Sequence, residues 1–124
     1  MVTYNEYLSG VLEKILHSHS ILCGLADKPG DLDIIKIELL KIRGFLLVIS
    51  NKLDATKYPG VDITRLQSKS RHYLETYYFE KEIENIASLY ASDPSRLKNL
   101  RLVILESLND RKLIAEIMEV RGEL

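Results

Sequence analysis

The sequence predicts an all-α protein, a four-helix antiparallel bundle that a short additional helix would make five-helix. Proline occurs only at positions 29, 59 and 94, each beside other turn-forming residues, which leaves four uninterrupted segments of helical length. Apolar residues within these segments recur every three or four positions, as on one face of a helix. The 124 residues are 46% hydrophobic and 28% charged, so we predict one helical-bundle domain over 1–124.

The first helix begins at a capping signal. Thr3 is followed three residues later by Glu6, the spacing at which a hydroxyl and a carboxylate satisfy the first free amides of a helix. This helix should run to about Cys23 and end before the turn at 27–30. Its apolar face contains Leu8, Leu12, Ile15 and Leu22.

The second helix, from about Leu32 to Leu53 with Asp31 as its N-cap, has two apolar stripes. The first is an unbroken heptad seam of alternating leucine and isoleucine: Leu32, Ile35, Leu39, Ile42, Leu46, Ile49 and Leu53. The second stripe, on another side, consists of Ile37, Leu40, Gly44 and Leu47. Because Gly44 leaves a notch and both stripes are apolar, we expect this helix to be buried on two sides.

The third helix is predicted from Ile63 to Tyr90, after a cap at Asp62, but its apolar residues change direction midway. The second half, with Phe79, Ile83 and Ile86, projects nearly opposite to the first half at 100° per residue. Either the helix breaks near residues 76–79 or its halves pack on different neighbours.

Asp93 followed by Pro94 predicts the start of a fourth helix, because aspartate caps and proline fits the first helical position. Its inner face comprises Leu97, Leu100, Ile104 and Leu108. The polar run 109–112 interrupts this face, and apolar residues resume at Leu113 in a shifted phase. A kink or a short fifth helix is therefore expected there.

Charge and cysteine content exclude several functional classes. A net charge of −1 provides no overall field for nucleic acid or an anionic membrane. One cysteine excludes an internal disulfide and is typical of a reducing compartment. No apolar run is long enough to cross a bilayer and no signal peptide is apparent, so we expect a cytoplasmic protein without membrane association. The sequence also contains no phosphate-binding loop or other cofactor motif, and no cofactor is expected.

Histidines of the first helix provide the strongest chemical candidates, and both are weak. His19 and Cys23 are four residues apart and could bind a metal from one helix face. His17 could accept a phosphoryl group, although only Lys14 nearby has the charge to hold it. We favour the ordinary interpretation, in which these residues belong to the helix surface and its apolar edge.

The third helix raises nucleic-acid binding as an alternative function. Arg65, Lys69 and His72 share one face, with Arg71 and Tyr73 adjacent. A basic stripe beside an aromatic ring can neutralise phosphates and stack bases. With so few cations, a solvated surface is the favoured interpretation.

The leading hypothesis is a non-catalytic interaction module, an oligomerising or adaptor subunit with one or more protein partners. A four-helix core needs one stripe from each helix, so the apolar surplus predicts a homodimer. The predicted interface comprises Ile37, Leu40, Gly44, Leu47, Tyr78, Phe79, Ile83, Ile86 and Tyr90. The competing explanation is intramolecular, with the second helix central and covered on both sides.

Overall fold

A computed structural model describes residues 3–89 and 93–124 of the chain. Within these ranges the regular structure is entirely helical, which confirms the predicted all-α bundle. The α-helices are α1 (Tyr4–Gly24), α2 (Asp31–Lys52), α3 (Thr64–Thr76), α4 (Glu80–Leu89), α5 (Pro94–Asn109) and α6 (Leu113–Glu123). None of the helices in the described ranges combines the length and the apolar character needed to cross a lipid bilayer.

Side-chain caps begin several helices where the sequence indicates them. The hydroxyl of Thr3 accepts the amide of Glu6 at 3.1 Å, and the carboxylate of Asp93 accepts the amide of Ser95 at 2.9 Å. The prediction for Asp31 is wrong. Helix α2 begins at Asp31 after a left-handed Gly30 (φ 97°), and the Asp31 carboxylate accepts the amide of Lys28, which stabilises the preceding turn instead.

Helix α2 is packed mainly between α1 and α3. Its heptad seam is buried from Leu32 to Ile49, and Leu53 is half-buried at the end of the helix. The competing explanation, in which both stripes are covered within the chain, is wrong for the described residues, because Ile37, Leu40 and Leu47 of the second stripe are exposed. We call this set, Ile37, Leu40, Gly44 and Leu47, the outer stripe of α2.

The predicted third helix is two helices. Helix α3 ends at Thr76, and Tyr77 adopts an extended conformation (φ −117°, ψ 131°), so the break falls where the apolar phase changes. The chain then enters α4 with Phe79 and Ile83 directed into the core. Tyr90, the last residue of the predicted helix, lies outside the described residues.

A kink also follows α5, as predicted. Arg111 and Lys112 both have left-handed backbone angles (φ 53° and 58°), which turn the chain from α5 into α6. Helix α6 then contacts α1 and α3, and Leu113, Ile117 and Val120 are buried there. The resumed apolar stripe thus completes the core beside α1, and within 3–89 and 93–124 no helix buries the exposed outer stripe of α2.

Candidate functional site

The outer stripe of α2 is an exposed apolar surface among the described residues. Ile37, Leu40 and Leu47 are 52%, 61% and 42% exposed. Gly44 lies between them, and a Cβ atom built on it would meet no heavy atom within 4 Å. The structure therefore presents a row of aliphatic side chains with a gap in the middle, and the ten helical steps from Ile37 to Leu47 make it about 15 Å long.

A groove of about 300 Å³ follows one side of this stripe, between α2 and α4. Its floor is formed by the buried side chains of Leu39, Phe79 and Ile83. Leu40 and Tyr78, each 61% exposed, stand at its mouth. The groove and the stripe are thus continuous through Leu40, and we refer to the two together as the α2–α4 surface.

Charged side chains line opposite edges of the groove. Lys36 and Arg43 lie on the α2 edge, seven residues or about two helical turns apart. Glu80 and Glu84 lie on the α4 edge. An apolar floor with cationic and anionic edges suits an amphipathic partner, whose apolar side chains enter the groove while polar ones meet the edges. Neither Arg43 nor Lys36 was predicted as a site residue, although their seven-residue spacing beside the outer stripe is visible in the sequence.

The connection between α3 and α4 is held against α2 by Arg43. One guanidinium nitrogen of Arg43 donates a hydrogen bond to the carbonyl oxygen of Tyr77 at 3.3 Å. The same guanidinium lies 5.3 Å from the ring centre of Tyr78, a cation–π contact. The hydroxyl of Tyr78 donates to the Glu80 carboxylate, and this hydrogen bond raises the pKa of Tyr78. Tyr78 is therefore fixed at the groove mouth although its ring is exposed.

The α4 part of the predicted interface is mostly covered by the chain itself. Phe79 and Ile83 are only 9% and 7% exposed, because the break after Thr76 turns α4 so that these side chains face the core. Ile86 is half-buried and lines a shallow depression between α4 and α5. An accessible interface at Phe79 and Ile83 is thus a correction to the sequence analysis, which placed both outside the core.

The side chains of the basic stripe of α3 contact α6 and the turn that precedes it. Arg65 forms an ion pair with Glu116 at 2.7 Å, and the ammonium of Lys69 donates to the carbonyl oxygen of Arg111 at 2.5 Å. The imidazole of His72 lies 3.1 Å from the Asp110 carboxylate. These side chains therefore connect α3 to the last part of the chain.

The two neighbours of that stripe also face their own chain. A guanidinium nitrogen of Arg71 donates to the carbonyl oxygen of Ser50 at 3.0 Å. Tyr73 is 3% exposed, so its ring is not accessible to a base, and burial raises the pKa of its hydroxyl. The arrangement thus leaves little unpaired charge or open aromatic surface on this face of α3.

The histidines of α1 do not form a larger ligand set. The Cys23 sulfur lies 3.9 Å from the ring nitrogens of His19, and partial burial lowers the pKa of His19. His17 is exposed on the other side of the helix. In 3–89 and 93–124, no group of three or more His, Cys, Asp and Glu side chains is arranged to hold a metal ion.

Comparisons of the chain with protein-family models, with curated proteins and with solved structures find no match. The fold of the described residues defines the class as an all-α helical bundle, and the α2–α4 surface is its candidate site.

Proposed function

We propose that this protein is a non-catalytic interaction module, an oligomerising or adaptor subunit whose α2–α4 surface binds an amphipathic helix of a protein partner. The exposure of Ile37, Leu40 and Leu47 in one row carries the proposal. Contiguous apolar surface in water favours association, because covering it removes apolar area from solvent. The proposal assigns no catalytic residue, metal or cofactor to the chain.

The groove supports a helix as the bound element. An amphipathic helix places apolar side chains at intervals of three and four residues, which matches a row of aliphatic side chains beside a narrow apolar groove. Tyr78 adds a rigid aromatic ring at the mouth with a polar hydroxyl at its edge, a combination enriched at protein interfaces.

A cytoplasmic location belongs to the same proposal. Cys23 is a free and exposed thiol, and it is the one cysteine of the sequence. Free exposed thiols persist in reducing compartments.

The nucleic-acid alternative receives less support. Phosphate binding depends on cations that are free to replace condensed counterions. Arg65 and His72 each face a carboxylate of their own chain, and Lys69 is bound to a backbone carbonyl. We therefore retain the protein partner as the leading function.

Site-specific photo-crosslinking in the native host tests the proposal. A benzophenone amino acid at position 37 should give a protein adduct, whereas the same group at Met118, which is 56% exposed on α6, should give none. Adding Leu40→Lys to the position-37 variant should abolish the adduct, because the charge would be buried in the contact. Equal adducts at both positions, or none at either, would overturn the proposal.

A further inference from the structure

The outer stripe of α2 is the centre of a longer heptad seam. Asp33 lies four residues before Ile37, and Asn51 lies four residues after Leu47, and both are exposed. The six positions 33, 37, 40, 44, 47 and 51 thus alternate spacings of four and three along the outside of α2. This spacing is that of a coiled-coil seam, which packs against a second helix. The eighteen helical steps from position 33 to position 51 make the seam about 27 Å long.

The seam is complementary to itself when reversed. Leu40 and Gly44 lie at equal distances from the level of Ile42, as do Ile37 and Leu47, and as do Asp33 and Asn51. Reversal about this level therefore places Leu40, the most exposed aliphatic side chain of the seam, opposite the glycine gap, and Ile37 opposite Leu47. At each end, a carboxylate that accepts hydrogen bonds faces an amide that donates them.

Resting on the proposed function, we infer that the partner helix is α2 of a second copy of this chain, packed antiparallel about a twofold axis at the level of Ile42. In this dimer Leu40 of each copy fills the space beside Gly44 of the other. Each pairing of residues across the interface occurs twice, because a twofold interface uses the same surface on both subunits. The uncovered stripe on each copy is thereby covered by its equivalent.

Two of the cations beside the seam have partners within their own chain. Lys41 forms an ion pair with the buried Glu38 at 3.2 Å. Arg43 is bound to the Tyr77 carbonyl and lies over the Tyr78 ring. Because both are partnered within the chain, the apolar centre of the seam remains available to the partner helix.

The arrangement also covers the edge of the groove. Leu40 lines the groove and is 61% exposed, and in this dimer it is buried beside Gly44 of the second copy.

Sedimentation equilibrium of the Gly44→Leu variant distinguishes this specific packing from non-specific hydrophobic association. The substitution adds apolar surface in open space, so non-specific association would become stronger. Filling the gap that receives Leu40 should instead raise the dimer dissociation constant by about tenfold or more. The control is Gly10→Leu on α1, where a Cβ atom also meets nothing within 4 Å, and it should leave the constant unchanged. Tighter or unchanged association of Gly44→Leu would overturn the register.

Cysteine pairing tests the direction of the helices. In a Cys23→Ser background, Ile37→Cys and Leu47→Cys variants are mixed, with an affinity tag on one of them, and oxidised. The antiparallel dimer predicts the mixed 37–47 disulfide. Like positions are about 15 Å apart along the axis at residue 37, beyond the reach of a disulfide. Predominant 37–37 pairing would show a parallel dimer and overturn the inference.

The two proposals fail in different ways. A wild-type chain that remains monomeric at every concentration overturns the second-copy inference. If the position-37 photoadduct then contains a different protein, the interaction module stands with another partner. If that adduct is also absent, both proposals fall.

Discussion

The guanidinium of Arg101 donates two hydrogen bonds to the carboxylate of Asp27, from Nε to Oδ1 at 2.8 Å and from Nη2 to Oδ2 at 3.0 Å. Both side chains are largely buried, at 12% and 14% exposure. The pair fastens the α1–α2 connection to α5, and Asp27 has a left-handed backbone (φ 59°) at that point. Hydrogen bonds between charged groups in this fork geometry are among the stronger polar contacts in proteins.

Replacing Arg101 should therefore destabilise the fold. We expect Arg101→Ala to lower the free energy of unfolding by about 2 kcal/mol, because it leaves a largely buried carboxylate without its partner. Urea denaturation at neutral pH measures the loss. Arg121→Ala, at an exposed position near the end of α6, is the matched control and should change stability by less than about 0.5 kcal/mol. Equal effects of the two variants would contradict the structural role of the pair.

The contribution of this pair should also depend on pH. The hydrogen bond from Arg101 lowers the pKa of Asp27 below its ordinary value of 3.8. A depressed carboxyl pKa stabilises the folded state above the unfolded-state pKa, and this stabilisation is lost as pH falls through the folded-state pKa. The stability difference between wild type and Arg101→Ala should thus be constant near neutrality and shrink below about pH 4. A difference that grows on acidification would contradict this assignment.

Shortening the leucines of the buried heptad seam of α2 should lower the stability of the fold substantially. Leu46 is fully buried and Leu39 is 9% exposed at the groove floor. Leu46→Ala and Leu39→Ala should each lower the free energy of unfolding by about 2–5 kcal/mol. The cost should be larger at Leu46, which is enclosed, than at Leu39, where the groove already admits solvent. Thermal or urea unfolding measures both, and near-zero effects would show that this seam is not the core.

Replacing Gly30, just before α2, and Gly44, within α2, by alanine should change the free energy of unfolding in opposite directions. Gly44 is helical with open space around it, so Gly44→Ala should stabilise a monomer by about 0.5–1 kcal/mol. Gly30 has φ 97°, where a side chain is strained, so Gly30→Ala should destabilise by about 1–2 kcal/mol. Both are best measured in a Leu40→Lys background, which excludes association through the outer stripe. Effects of the same sign at the two positions would contradict the backbone assignment.

The pKa of the Asp110 carboxylate should depend on its contacts with Tyr77 and His72. The hydroxyl of Tyr77 donates to Asp110 at 2.7 Å, and His72 lies 3.1 Å from the same oxygen. The Tyr77 hydrogen bond is the main cause of the lowered pKa of Asp110, followed by that of His72. Tyr77→Phe should therefore raise the Asp110 pKa toward its ordinary value, as measured by carboxyl carbon chemical shifts during an NMR titration. Tyr7→Phe, on α1, is the control and should leave it unchanged.

Local sequence determined where the helices of this protein begin, break and turn. The hydroxyl of Thr3 and the carboxylate of Asp93 act on amides two or three residues away, so their spacing alone identifies them. The phase change near Thr76 likewise indicated either a break or two differently packed halves, and the structure has the break, between α3 and α4. In each case the deciding contacts lie within one or two helical turns.

Tertiary structure decided which apolar faces are inside and which charges are paired. Both stripes of α2 are apolar, and the inner one is buried only because α1 and α3 lie against it. Phe79 and Ile83 were predicted at an interface, but they are buried in the core because the break after Thr76 turns α4 toward it. Arg101 and Asp27 are 74 residues apart, so no spacing relates them. Burial and ion pairing depend on what the folded chain brings alongside a residue, and a helical period describes only one helix at a time.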